Sequence, residues 1–151
     1  MGQVQVQSKT EILAEVKESF GSVPTWLNDI PEQSLAGFWG LFRDFYMAET
    51  AIPNKYKELI GLAVSGATRC KYCQLFHAEG ARLHGATEDE IREAAMMSGV
   101  TMLGSTFLNA MGTDYDVFAK ETQQIVDFVK KQQASAPPPT PGKAKGDYAQ
   151  H

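Results

Sequence analysis

Residues 69–86 read RCKYCQLFHAEGARLHGA and hold both cysteines of the chain and two of its three histidines, His77 and His84. On a helix, at about 100° per residue, Cys70, Cys73, His77, Gly80, Ala81 and His84 fall within an arc of roughly 100°. Two thiols and an imidazole therefore share one stripe. Residues three apart on a helix have Cα atoms about 5 Å apart, inside the range a disulfide accepts. The pair is expected to oxidise without unwinding the helix. His77 stands one turn beyond Cys73 on the same face and can reach its sulfur. The cysteines also lie in the first turn or two, where unpaired amides and the helix dipole favour a thiolate. Gly80 removes a side chain beside His77 and lets another backbone or a substrate approach. Tyr72, Phe76 and Leu83 occupy the adjoining face and are expected in the core.

Outward from this stretch the chain reads as helical nearly throughout. Ser8-x-x-Glu11 is a capping box, followed by Ile12, Leu13, Val16 and Phe20 at helical spacing. Pro31 opens a second long helix with the stripe Leu35, Phe38, Trp39, Phe42, Phe45 and Tyr46. Pro53 starts a third, with Tyr56, Leu59, Ile60, Ala63 and Val64 expected inward. SGAT at 65–68 predicts the break before the cysteine helix, with Thr68 as its N-cap. Gly85 ends that helix as a C′ residue. Thr87-x-x-Glu90 is a second capping box, and Glu88, Asp89 and Glu90 suit the first turn of a fifth helix. The fifth helix is apolar or small on almost every side, so it is expected to be buried all round, with a neighbouring subunit completing the burial. Thr113-x-x-Asp116 caps the last helix, whose stripe is Phe118, Ile125, Val126 and Val129. The fold class is all-α: a compact domain of about six helices over residues 1–133. Four of the seven prolines fall in the remaining segment, 134–151, which reads as an extended or disordered tail.

Composition narrows the function. The net charge of −4 and the lack of any Lys/Arg cluster speak against a nucleic-acid partner. No apolar run is long enough to span a membrane, and the N-terminus has neither the apolar core nor the basic leader of a secretory signal. Val6 stands where a myristoylation motif wants Ser or Thr. The default location is the cytoplasm. There a CxxC pair is more often catalytic, redox-sensing or metal-binding than a structural bridge.

Several readings of the CxxC stripe compete. Cys70, Cys73 and His77 could give a zinc ion three ligands, with His84 or an acid as the fourth, but structural zinc usually draws on two separated pairs and no second pair exists. Haem attachment needs His directly after the second cysteine, where Gln74 stands. A pair of inert core cysteines is a further reading. A dithiol redox site is the favoured one, with no metal and no organic cofactor. His84 reads as a partner for the C-terminal end of the helix dipole. Glu58, three residues after Lys55, reads from the sequence alone as a solvated surface carboxylate.

Glu58, then Cys70 twelve residues on, then CxxCxxxH and GATEDEIREA, resembles the alkyl hydroperoxidase D-like branch of the carboxymuconolactone decarboxylase superfamily. The resemblance covers roughly residues 20–112. It implies an all-α fold, assembly into homotrimers or homohexamers, and a peroxiredoxin-type thiol peroxidase. Cys70, Cys73, His77 and Glu58 would be its catalytic residues, the last two as a proton relay. Lactone decarboxylases of the superfamily lack the cysteine pair, which argues against that reaction. One departure is Tyr72, where family peroxidases often carry a second histidine before the second cysteine. The implied partners are a hydroperoxide substrate and a dithiol reductant or reductase protein.

The chemistry suits these residue types. A thiolate attacks one peroxide oxygen, the other leaves, and a second thiol converts the sulfenic acid to a disulfide. A thiol of pKa about 8.5 is roughly 3% ionised at pH 7, and lowering it to about 6 gives some thirtyfold more thiolate. The loss of nucleophilicity returns about tenfold of that gain. Most of the rate must therefore come from positioning and from protonating the departing oxygen, the task of His77 held by Glu58. The dipole favours attack by Cys70, whereas the histidine contact and the resemblance favour Cys73, with Cys70 resolving. A dithiol–disulfide reductase or redox sensor, and a lactone-acting lyase, are the alternatives.

Overall fold

The computed structural model describes residues 7–135, which form six α-helices and no strand. By packing, the described residues divide into two units, with the boundary between Leu103 and Gly104. Most of the segment read as a tail, from residue 136 on, lies outside the described residues.

In the first unit, α1 (Lys9–Phe20) begins at the expected capping box. The Ser8 hydroxyl accepts from the Glu11 amide, and the Glu11 carboxylate accepts from the Ser8 amide at 2.8 Å. The helix stops at Gly21, whose φ of +74° is left-handed. A 3₁₀ turn (Thr25–Asp29) leads to α2 (Glu32–Leu41). Ile12 and Val16 of α1, Leu27 of the turn, and Leu35 and Trp39 of α2 are fully buried together. Each contributes about 1.5–3 kcal/mol by leaving water, which seats α2 firmly on α1.

The expected long second helix is not uniform. After Leu41 it loosens into a π-helical turn, Phe42–Met47, that re-aims its last residues. Helix α3 (Asn54–Thr68) holds this turn from its own first turns. Lys57 Nζ donates to the carbonyls of Phe45 (2.7 Å) and Ala48 (2.6 Å), and Asn54 Nδ2 donates to that of Met47 (2.8 Å). These bonds satisfy carbonyls the helix end leaves without partners.

Helix α3 packs mainly on α4 (Lys71–Leu83). The face it buries is only partly the expected one: Leu59 packs against the Leu62 core. Asn54, Glu58, Leu62 and Ser65 are buried, whereas Tyr56, Ile60 and Val64 are half or more exposed in the single chain. Nor does SGAT break the helix. The Ser65 and Thr68 hydroxyls bond back to the carbonyls of Leu62 and Val64, so Thr68 completes α3 instead of capping α4. The break comes one residue later. Arg69 takes a left-handed φ of +59°, its amide bonding Gly66 while the Cys70 amide reaches Ser65. This is a Schellman motif with an arginine where glycine is usual.

Helix α4 ends at Leu83, with Gly85 at φ +79° just beyond. Thr87 and Glu90 form the second capping box, at 2.8 and 3.1 Å, and open α5 (Glu88–Ala110). Leu62, Ala81 and Ile91 make a second small core where α3, α4 and α5 meet. Tyr72, Phe76 and Leu83 do not join it: they are 76, 47 and 82% exposed. In the single chain α5 is also open along Met96, Met97, Val100 and Leu103, against the expectation of burial all round.

In the second unit, α5 ends through Gly112 (φ +61°), and α6 (Tyr115–Ser135) follows. Its cap is Asp114, whose carboxylate accepts from the Val117 amide at 2.9 Å, so the start falls one residue after the expected Thr113. The apolar stripe Phe118, Ile125, Val126 and Val129 is exposed. Among the described residues no helix is long and apolar enough to cross a membrane.

Candidate active site

The site forms where the π-helical turn, α3 and α4 converge. Cys70 is the N-cap of α4, and the Arg69 turn delivers it there. Its Sγ accepts the amide of Cys73 at 3.3 Å. The two cysteines form a disulfide across one turn, with Cα atoms 5.4 Å apart, the spacing the sequence predicts. Both are partly buried. An amide aimed at the Cys70 sulfur stabilises negative charge there when the bond is reduced.

One turn beyond Cys73, His77 faces Glu58 from α3. Its Nδ1 lies 2.8 Å from Glu58 Oε2. Glu58 is 5% exposed, so the solvated-surface reading does not hold. Lys55, its expected neighbour, instead pairs with Glu90 on α5 at 2.7 Å. A buried carboxylate must be paired or hydrogen-bonded, and His77 with one other group provides this. That group is Tyr46, from the π-helical turn. Its hydroxyl donates to Glu58 Oε1 at 2.5 Å and lies 3.4 Å from His77 Nδ1. Burial pushes the phenol well above its ordinary pKa, and the bond to Glu58 pushes it further, so Tyr46 remains a neutral donor. With Nδ1 bonded to the carboxylate, Nε2 is the ring nitrogen left for chemistry.

Two glycines make the approach possible. A Cβ on Gly61 would run into the His77 ring. A Cβ on Gly80 would stand 2.6 Å from Glu58 Cδ. The Gly80 gap is therefore filled by the carboxylate of α3, not left for substrate. Gly80→Ala is expected to push Glu58 off His77, destabilise the fold by about 1–3 kcal/mol, and cut turnover at least tenfold. Urea denaturation beside a turnover assay checks both.

Phe42 and Phe76 close over the same corner, with ring centroids 4.7 and 5.9 Å from that of Tyr46, and Phe76 is 5.6 Å from His77. Of the aromatic stripe on the second helix, Trp39 is core, Phe45 is exposed, and Phe42 and Tyr46 border the site. His84 caps the end of α4 through its backbone and is not part of the cluster. Among the described residues, no group of three or more His, Cys, Asp or Glu side chains is arranged to hold a metal ion. Sequence reasoning missed Tyr46 and Gly61 as site residues. Tyr46 looked like one more apolar stripe position, and only the π-helical turn brings it to Glu58.

The pattern that defines the carboxymuconolactone decarboxylase family matches residues 34–113, a span that contains Tyr46, Glu58, both cysteines and His77. The chain belongs to the carboxymuconolactone decarboxylase family. It is 35% identical over 63 residues to "Uncharacterized protein 4 in cox locus" of Paracoccus denitrificans, a match covering 42% of this chain and 57% of that protein. The chain thus spans little more than half the length of that relative. Its fold matches the alkylhydroperoxidase AhpD core of Rhodospirillum rubrum, with a TM-score of 0.61 at 23% identity, over 79% of this chain and 98% of the other.

Proposed function

We propose that this family member is a thiol-dependent peroxidase that reduces hydroperoxides through a Cys70–Cys73 dithiol/disulfide cycle. The observation that carries the reading is the cysteine pair bridged across the first turn of the helix whose next turn bears the Glu58-bound His77. The Cys73 thiolate attacks one oxygen of ROOH: an S–O bond forms, the O–O bond breaks, and the sulfur is oxidised by two electrons to sulfenic acid. His77 gives the departing oxygen a proton, and ROH leaves. The Cys70 thiol then attacks the Cys73 sulfur, an S–S bond forms and water departs. A dithiol donor or reductase protein reduces the disulfide and restores both thiols. The name of the R. rubrum protein, an alkylhydroperoxidase, agrees with this reaction.

The reading carries further parts. The reducing cytoplasm keeps such a pair cycling. Residues 1–133 act as one domain, and the protein works as a homotrimer or homohexamer. Tyr56, Ile60 and Val64 on α3, with Met96, Met97, Val100 and Leu103 on α5, are apolar groups that copies of the chain would cover.

The test is peroxide consumption by the reduced wild-type protein, with dithiothreitol or a dihydrolipoyl donor in excess. Multiple turnovers, each returning the disulfide, are expected. Consumption no faster than by the donor alone would sink the proposal. The amide on the Cys70 sulfur favours one second reading, a dithiol–disulfide reductase acting on a protein partner. In that case protein disulfides are reduced rapidly and hydroperoxides are not.

A further inference from the structure

We propose that Tyr46 is a positioning residue, whose hydroxyl holds one oxygen of the buried Glu58 carboxylate so that the other takes the Nδ1–H of His77. Its consequence for turnover rests on the peroxidase reading above; its structural content does not.

A carboxylate on a flexible side chain can turn about its last torsion and present either oxygen, or a poor angle, to a neighbour. Here both oxygens are engaged, Oε1 by Tyr46 at 2.5 Å and Oε2 by His77 at 2.8 Å. Hydrogen bonds to an ionised acceptor are about twice as strong as neutral ones, and stronger still away from water. Two donors from different elements therefore leave Glu58 one orientation. The Tyr46 ring is fixed in turn. It packs against Phe42, Phe76 and His77, and the turn that carries it is anchored by Lys57 and Asn54. Those anchors come from the same helix as Glu58, one and four residues before it. Helix α3 thus sets the position of both the carboxylate and the phenol that orients it. The π-helical turn has a function on this account, because regular α-helical winding would turn residue 46 to another direction.

Among the described residues, Tyr46 from the turn is the titratable side chain bonded to the pair. Lys57, on α3, is held on backbone carbonyls and on Asn54. Cys73 lies one turn before His77 on α4. Removing the phenol hydroxyl takes a donor from the carboxylate and not from the imidazole. The carboxylate is then free to turn about its last torsion, and the Nδ1–H of His77 loses its one fixed acceptor.

The variant is Tyr46→Phe, which keeps the ring and its packing. Two readouts are followed in the reduced protein: the ¹H and ¹⁵N signals of the His77 Nδ1–H group by NMR, and the kinetics of hydroperoxide reduction. The Nδ1–H proton is expected to move upfield and broaden as its carboxylate partner loses its one orientation. The turnover number kcat should fall about tenfold with KM changed less than about twofold, the pattern of a group that acts on the chemical step. An unchanged Nδ1–H signal would overturn the proposal and reduce Tyr46 to ring packing. So would a rise in KM alone, the mark of a substrate-lining residue. If the wild type consumes no peroxide, the Nδ1–H signal still decides the role of Tyr46 while the peroxidase reading fails. Should Tyr46→Phe not fold, 3-fluorotyrosine at this position keeps the hydroxyl and makes it a stronger donor. It draws charge from the carboxylate, so the Nδ1–H signal should shift while staying sharp, and no shift would overturn the proposal.

Discussion

Replacing Cys73 with serine is expected to lower peroxide turnover about 10³-fold or more, because in the proposed cycle its thiolate is the nucleophile and a serine hydroxyl in its place is almost wholly un-ionised near pH 7. Cys70→Ser should differ in kind. It should still consume one equivalent of peroxide in a rapid first turnover, then stall as the Cys73 sulfenic acid. Further turnover would proceed only as fast as external thiol reaches that sulfur. The assignment rests on two facts that pull in opposite directions. The Cys73 amide points at the Cys70 sulfur, so Cys70 gains thiolate character. Cys73 stands one helical turn before His77, the group able to protonate the leaving oxygen. The second outweighs the first. A lowered thiol pKa gains about twofold to threefold net once its lost nucleophilicity is counted, whereas general acid catalysis is worth about 10²–10⁴. The stabilised Cys70 thiolate is better suited to resolving and to leaving again when a reductant opens the disulfide. Stopped-flow peroxide consumption with mass spectrometry of the trapped sulfenic acid distinguishes the variants. A burst from Cys73→Ser and none from Cys70→Ser would exchange the two roles.

How legible the fold was varies along the chain for physical reasons. Helix starts were readable where side-chain chemistry writes them, at Ser8/Glu11 and at Thr87/Glu90, because a capping box is a local pair of bonds. The cysteine spacing was readable for the same reason: one turn of helix fixes it. The buried face of α3 was so only in part. Hydrophobic periodicity sends Tyr56, Leu59, Ile60, Ala63 and Val64 inward and leaves Glu58 to solvent. The structure keeps Leu59 against the core but turns Tyr56, Ile60 and Val64 outward, since Asn54 is needed on the Met47 carbonyl and Glu58 on Tyr46 and His77. A stripe whose polar members are satisfied by neighbouring elements carries no hydrophobic signature. In the proposed assembly this apolar stripe is the surface other copies of the chain would cover. Tyr46 was hidden in a different way. Its place depends on a π-helical turn, and the residues that stabilise the turn, Lys57 and Asn54, lie more than seven positions on. The resemblance alone points to Glu58 as a member of the site, whereas composition and spacing place it at the surface; its burial beside His77 agrees with the former.

Glu58→Gln is the second large effect, with an expected loss of about 10²–10³ in kcat/KM for hydroperoxide. The substitution preserves shape, so it isolates charge and hydrogen-bond direction. Glu58 now accepts from Tyr46 on one oxygen and from His77 Nδ1 on the other, an arrangement that needs two acceptors. A glutamine offers one acceptor and one amino group. If its carbonyl faces His77, the imidazole keeps its proton on Nδ1 but loses the negative charge that supports its protonated form. If its amino group faces His77, Nδ1 must become the acceptor and the proton moves to Nε2, the nitrogen that should be free to take one up. Both orientations weaken proton delivery to the leaving oxygen, and the two are distinguishable by the ¹⁵N shifts of the His77 ring. The carboxylate is 5% exposed, so water cannot substitute for it at little cost. The disulfide should still form in this variant under a chemical oxidant, because nothing in the bridge contacts residue 58 through a hydrogen bond. Retained oxidation by diamide alongside lost peroxide reduction would place the defect in proton transfer. Peroxide reduction within about threefold of wild type would mean that His77 protonates the leaving group without help from Glu58, and that the relay is not part of the mechanism.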